Sequence, residues 1–340
     1  MIRPAAAAAL WLLACVPALA QERSNRDQSG YTELRAEGYP IRTGIRIVPP
    51  DQARLADADL VIGVVIGGQA RAYPVNLMWG PENEALNDEL AGVAVTATWC
   101  PIAHSGVVFE RRLRGRVLDL GALGLEHGVF KLYDRQTRSM WSQVSGVASR
   151  GPLSGRTLRK RESTLTSWGT WRRLHPDTTV FFDPALPDHH PFNEDVIARI
   201  TLAGEGPLRN EDLVAGVEGA FGARAWLLRK LGPARALDDA AGGEPVEVFL
   251  AKDAVTVHVF RRRVAGRVLS FRAQGDRLRD AETGSEWDGL TGRASSGPLA
   301  GGRLEALVVT TALWYAWSSQ HPGTTLWGAD PGERGPRRTP

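Results

Sequence analysis

The chain has 340 residues, 43% hydrophobic and 23% charged, which is ordinary globular composition. Its 41 Lys and Arg nearly balance 38 Asp and Glu, for a formal net charge of +3. The basic residues are scattered or paired with acids, apart from short runs such as Arg111-Arg112 and Arg261-Arg262-Arg263, so no nucleic-acid partner is expected.

Residues 1–20 read as a signal peptide. Arg3 precedes an apolar run from Ala5 to about Val16, and Ala18-Leu19-Ala20 offers a small-x-small cleavage site before Gln21. The run is well short of the ~20 residues a membrane-spanning helix needs. No second long apolar run follows, so no transmembrane span is expected. The expectation is export to a periplasmic or extracellular location. Leu12-Leu13-Ala14-Cys15 resembles a lipobox and leaves open the alternative of a lipoprotein anchored through Cys15. Either way Cys100 loses its only possible intramolecular partner, because the chain has 2 cysteines. A single thiol in an oxidising compartment calls for burial or a function.

The remaining ~320 residues are enough for two domains of common size, and they are written twice. "GPLSGRTL" (151–158) returns as "GPLAGGRL" (297–304), and "TSWGTWRRLHPDTTVF" (166–181) as "TALWYAWSSQHPGTTLW" (311–327). "VFERRLRGRVL" (108–118) matches "VFRRRVAGRVL" (259–269), and "GQARAYPVNLMWGPENEALND" (68–88) matches "GARAWLLRKLGPARALDD" (222–239). Four blocks in the same order divide the chain into an N-terminal extension (21–44), repeat one (45–183), a linker (184–199), repeat two (200–328) and a tail (329–340).

Along repeat one, "LVIGVVIGGQARAYPV" predicts a hairpin turning on Gly67-Gly68. "VAVTATW" alternates as a half-buried strand should. "GVVFERRLRGRVLDLG" predicts a second hairpin at Arg114-Gly115, and "KLYDRQTRSMWSQVSG" a strand, turn and strand. Thr166 or Ser167 caps a helix over "WGTWRRL" that stops at His175-Pro176; its counterpart in repeat two stops at His321-Pro322. The Pro- and Asp-rich linker suits a surface connection, where His189-His190 are solvated side chains. The fold class is therefore mainly β with one short helix per repeat. Because strand edges must be covered or closed, two tandem pseudo-equivalent β-barrel or β-sandwich units packed together are expected.

The repeat supplies an internal control. Trp141/Trp287, Trp168/Trp314 and Trp171/Trp317 recur and read as core, as do His175/His321 and Arg71/Arg224 as structural pairs. Cys100, His104, Arg135 and Ser142-Gln143 align with Ala251, Val255, Ala281 and Asp288-Gly289, and Asn87-Asp88 becomes Asp238-Asp239. A thiol-bearing polar set thus stands in repeat one, and smaller or apolar groups largely replace it in repeat two.

These segments resemble the DUF3179 family: "GQARAYPVNLM", "NDELAGVAVTATWCPIAHSGVVFERR", "LYDRQTRSMWSQVSG" and "TSWGTWRRLHPDTTV" carry the likeness over nearly the whole mature chain. The resemblance implies that Asn87-Asp88, Cys100, Arg135 and Trp141-Ser142-Gln143 are signature positions. The chain departs from it where many members have a second cysteine, here Ala103, and where many have His-Glu before Asn-Asp, here "GPENEALND".

Three readings of "ATWCPIAHSG" stay open. In the first, His104 lowers the pKa of a nucleophilic Cys100, Arg135 binds an anionic group, and Asn87, Asp88, Ser142 and Gln143 hold a small-molecule substrate in a thiol or redox reaction. In the second, Cys100 and His104 ligate copper or zinc, with Asp88, His127 or Met140 completing the set; Met78 and Met140 are the only methionines past the signal. In the third, Cys100 is a buried structural residue and the protein is a non-catalytic secreted binding or structural module.

Overall fold

Alternation and β-branching translate into short strands throughout. The computed structural model describes residues 34–329 apart from positions 43, 127–128, 187, 189–207, 210–211 and 221. The signal segment, Cys15, His127, His189-His190 and the tail from 330 onwards lie outside the described residues.

In the first half, Leu60–Ile66 and Gln69–Pro74 pair antiparallel around Gly67 and Gly68, both at positive φ (57° and 79°), as a tight two-residue hairpin demands. Thr179–Phe181 adds parallel to Gln69–Pro74, Ile47–Val48 adds outside it, and Ser163–Ser167 closes the other edge, giving five strands. A second sheet runs Lys160–Arg161, Ser105–Glu110, Val93–Cys100, Ala85–Leu90. A third runs Ala148–Arg150, Met140–Ser142, Val129–Asp134, Leu120–Glu126. The predicted hairpin at Arg114-Gly115 is the ribbon Arg112–Leu113/Arg116–Val117.

The succession recurs in the second half. Thr310–Leu313, Leu213–Gly219, Gly222–Leu227 and Thr325–Trp327 form one sheet; Arg235–Ala241, Glu244–Leu250 and Val257–Arg261 a second; Phe271–Gln274, Arg277–Asp280, Glu286–Asp288 and Ala294–Ser296 a third. The counterpart of strand Lys160–Arg161 shrinks to a single bridge, Phe260 to Ala306. No sheet among the described residues closes on itself, so the units are sandwich-like and not barrels.

Both expected helices form, Trp168–Leu174 and Trp314–Gln320. Ser167 Oγ caps the first by accepting from Thr170 N at 3.3 Å, whereas Leu313 at the second provides no side-chain cap. Each helix drives one tryptophan onto a glycine. A Cβ at Gly63 or Gly216 would sit 2.3 Å from the ring of Trp171 or Trp317, so only glycine permits that packing. The second half carries an additional short helix, Leu228–Leu231, where the first has the 3-10 turn Val75–Leu77.

The halves meet in one seam. Leu313 N donates to Ala103 O at 2.8 Å, and the hydroxyls of Thr166 and Thr256 bond at 2.7 Å. Glu218 lies between Lys160 of the first half and His321 of its own. A single apolar cluster includes Cys100, Ala103, Val107 and Phe109 together with Leu313, Trp314 and Tyr315. At the other end of the first half, residues 35–39 cover the third sheet. Tyr39 N donates to Ala122 O, Tyr133 Oη donates to Tyr39 O, and Gly38, at φ 67°, leaves room for the Tyr133 ring.

Candidate functional site

Cys100 ends strand Val93–Cys100 and pairs with Ser105, so residues 101–104 form the intervening turn, with His104 at φ 48°. Side chains alternate along the strand. Val95, Ala97 and Trp99 enter one core, while Thr96, Thr98 and Cys100 face the third sheet and the seam. The thiol is 1% exposed. Its Sγ accepts from Ala103 N at 3.3 Å. Burial, reinforced by the carboxyl of Glu84, pushes the thiol up to about 12. His104 is buried too, with its ring edge-on to Trp99 at 5.1 Å between centroids. Burial lowers this imidazole to about 4. A nucleophilic pair needs the thiol moved down by its neighbour; here both groups are held neutral at pH 7, each by desolvation.

The remaining predicted residues are spread over three places. Gln143 joins the layer around Cys100: its Oε1 accepts from Ser105 Oγ at 2.8 Å, and its Nε2 donates to Thr98 Oγ1 and Ser105 O, both at 3.1 Å. Ser142 is buried next to it and accepts from Ser145 N at 3.3 Å, closing the following turn. Asn87 bonds the backbone of Leu120 in both directions, Nδ2 to O at 2.7 Å and N to Oδ1 at 3.1 Å. Asp88 is taken up by Arg71 and by Tyr73 Oη, the latter at 2.8 Å. Arg135 lies at the surface: its side chain is 53% exposed and 3.9 Å from Asp119. Met140 and Met78 belong to different parts of the core, and no group of three or more His, Cys, Asp or Glu positioned for a metal ion occurs among the described residues.

Two groups near the thiol were not singled out from sequence. Burial raises Glu84 to about 8. Tyr315, on the helix of the second half, is buried and raised well above its usual value by desolvation and by the thiol. Glu84 was visible in "ENEALND", three residues before Asn87. Tyr315 had no local signal, because only the seam brings it to residue 100.

A separate cavity of about 190 Å³ opens beside the start of the linker. Leu77, Phe182 and Leu186 form its apolar wall, with Asn76, Asp188 and Arg54 among the polar residues lining it. Asp183, also on its wall, is paired with Arg42.

Fold and site together define a mainly β protein of two sandwich-like halves with a neutral thiol in the seam. The chain belongs to the DUF3179 family, described as a protein of unknown function, whose profile matches residues 45–324. No curated protein and no solved structure matches it.

Proposed function

We propose that this is an exported, non-catalytic binding module in which Cys100 is a structural residue of the seam. The observation that carries the reading is the state of the thiol, which is 1% exposed and held at about 12 among apolar side chains of both halves. Free cysteine in such surroundings packs as a small hydrophobe, which is also how an exported protein keeps a lone thiol from oxidation. Export is supported by Arg3, the apolar run and Ala18-Leu19-Ala20. The polar neighbours are supported in structural roles by their bonds to backbone and to each other: Gln143 to Ser105, Asn87 to Leu120, Asp88 to Arg71.

The rival reading retains thiol or redox chemistry, or copper or zinc bound at Cys100 and His104. It draws support from Glu84 and Tyr315, which converge on the thiol and supply two protonated groups beside it. Alkylation by a small reagent separates the two. A structural Cys100 labels only after denaturation, whereas stoichiometric labelling of the native protein at neutral pH overturns our reading. Metal loading followed by Cys100→Ser and His104→Ala gives the second arm: a bound stoichiometry that both substitutions abolish favours the rival.

A further inference from the structure

The cavity beside the linker contains a buried amide left half-bonded. Asn76 is 4% exposed, and its Nδ2 donates to Asp188 Oδ1 at 2.6 Å. That bond fixes which way the amide points, since the flipped amide would set two oxygens against each other. Asn76 Oδ1 is then the remaining atom, buried and without a hydrogen-bond partner among the described residues. Such an acceptor costs about 1–3 kcal/mol when left unbonded, a cost that a hydrogen-bond donor on a bound ligand would offset. The rest of the wall says what kind of molecule brings it. Leu77, Phe182 and Leu186 offer an apolar surface. Asp183 is neutralised by Arg42, so the charges left to a ligand are the carboxylate of exposed Asp188 and the guanidinium of exposed Arg54. One anion and one cation flank an apolar wall, with a buried acceptor beside the anion. At about 190 Å³ the space is smaller than the ~300–1,000 Å³ of drug-sized pockets.

We propose that this cavity binds a small α-amino acid with an apolar side chain. Its ammonium group bonds Asp188 and Asn76 Oδ1, its carboxylate meets Arg54, and its side chain lies on Leu77, Phe182 and Leu186. The proposal rests on the reading of the chain as a binding module and names its ligand class.

Titration calorimetry on the mature chain tests it with three probes. L-Leucine carries both charges, isoamylamine lacks the carboxylate, and 4-methylpentanoate lacks the amine. Leucine is expected to bind best, isoamylamine about tenfold more weakly, and the acid more weakly still. Asp188→Asn, at an exposed position, weakens leucine and isoamylamine alike by about tenfold or more, while Arg54→Ala removes the advantage of leucine over isoamylamine. Absence of leucine binding up to ~10 mM, or binding unchanged in Asp188→Asn, overturns the assignment. Native thiol alkylation on the same preparation keeps the two readings apart. An inert Cys100 without leucine binding sinks the cavity alone, and a reactive Cys100 sinks the module reading whatever the calorimeter records.

Discussion

Thr98 and Gln143 of the first half stand where the second half has Phe249 and Gly289. In the first, Gln143 reaches across to bond Thr98 and Ser105. In the second, the ring of Phe249 fills that space, and a Cβ at Gly289 would come within 2.7 Å of it. The same inter-sheet gap is filled once by a satisfied polar clamp and once by a large ring against no side chain. At this position the replacement of polar residues in repeat two is an exchange of packing solutions. Asn87 and Asp238 teach the same lesson. Both bond the backbone where the third sheet begins, the first at Leu120 and the second at Phe271 N.

Three measurements break or sharpen this comparison. The largest effect is expected at the buried ion pairs. Asp88→Ala strands Arg71, whose side chain is 10% exposed, and should cost about 3–5 kcal/mol in denaturant unfolding. Asp239→Ala, whose partner Arg224 is 17% exposed, should cost less. Equal losses would mean that burial does not separate the halves.

Next comes pH. The folded pKa of His104, about 4, lies below its ordinary 6.5, so the unfolded chain binds more protons between those values. Stability should therefore fall as pH drops from 6.5 towards 4, by up to ~3 kcal/mol from this residue. Glu84, raised to about 8, acts in the opposite sense, since its folded form holds a proton that the unfolded form releases below that pH. The difference between wild type and His104→Asn isolates the histidine, asparagine being tolerant of the positive φ. If the two stability curves stay parallel between pH 6.5 and 4, His104 is not held neutral by burial.

The smallest effect tests the packing exchange directly. Gln143→Ala should cost about 2 kcal/mol by leaving Ser105 and Thr98 short of partners. Thr98→Phe with Gln143→Gly, which transplants the second half's arrangement, should recover most of it. A double variant less stable than Gln143→Ala would show that the two solutions are not interchangeable.

Much of the fold was legible along the chain. Gly67-Gly68, the Ser167 cap and the His-Pro stops act within a few residues, so local pattern revealed them, and the repeat revealed their second copies. The candidate site was legible only in part. Comparison of the repeats singled out Cys100, His104, Arg135, Ser142-Gln143 and Asn87-Asp88 together; Gln143 bonds Ser105, the strand partner of Cys100, whereas Arg135 faces solvent beside Asp119. Residue type shows which side chains can do chemistry; it does not show which face of a bulged or turning strand they leave from.

By itself the amino-acid order determined the family, the mainly β class, the duplicated succession of strands and the presence of a cysteine at position 100, because each is carried by short-range spacing or by composition. Only tertiary structure decided the state of that thiol. Its proton affinity depends on how completely water is removed and on the nearby carboxyl of Glu84, and part of the apolar cluster that removes the water, Trp314 and Tyr315, arrives from a helix more than two hundred residues away along the chain. Desolvation is a property of the assembled seam, and no stretch of ten residues around Cys100 contains it.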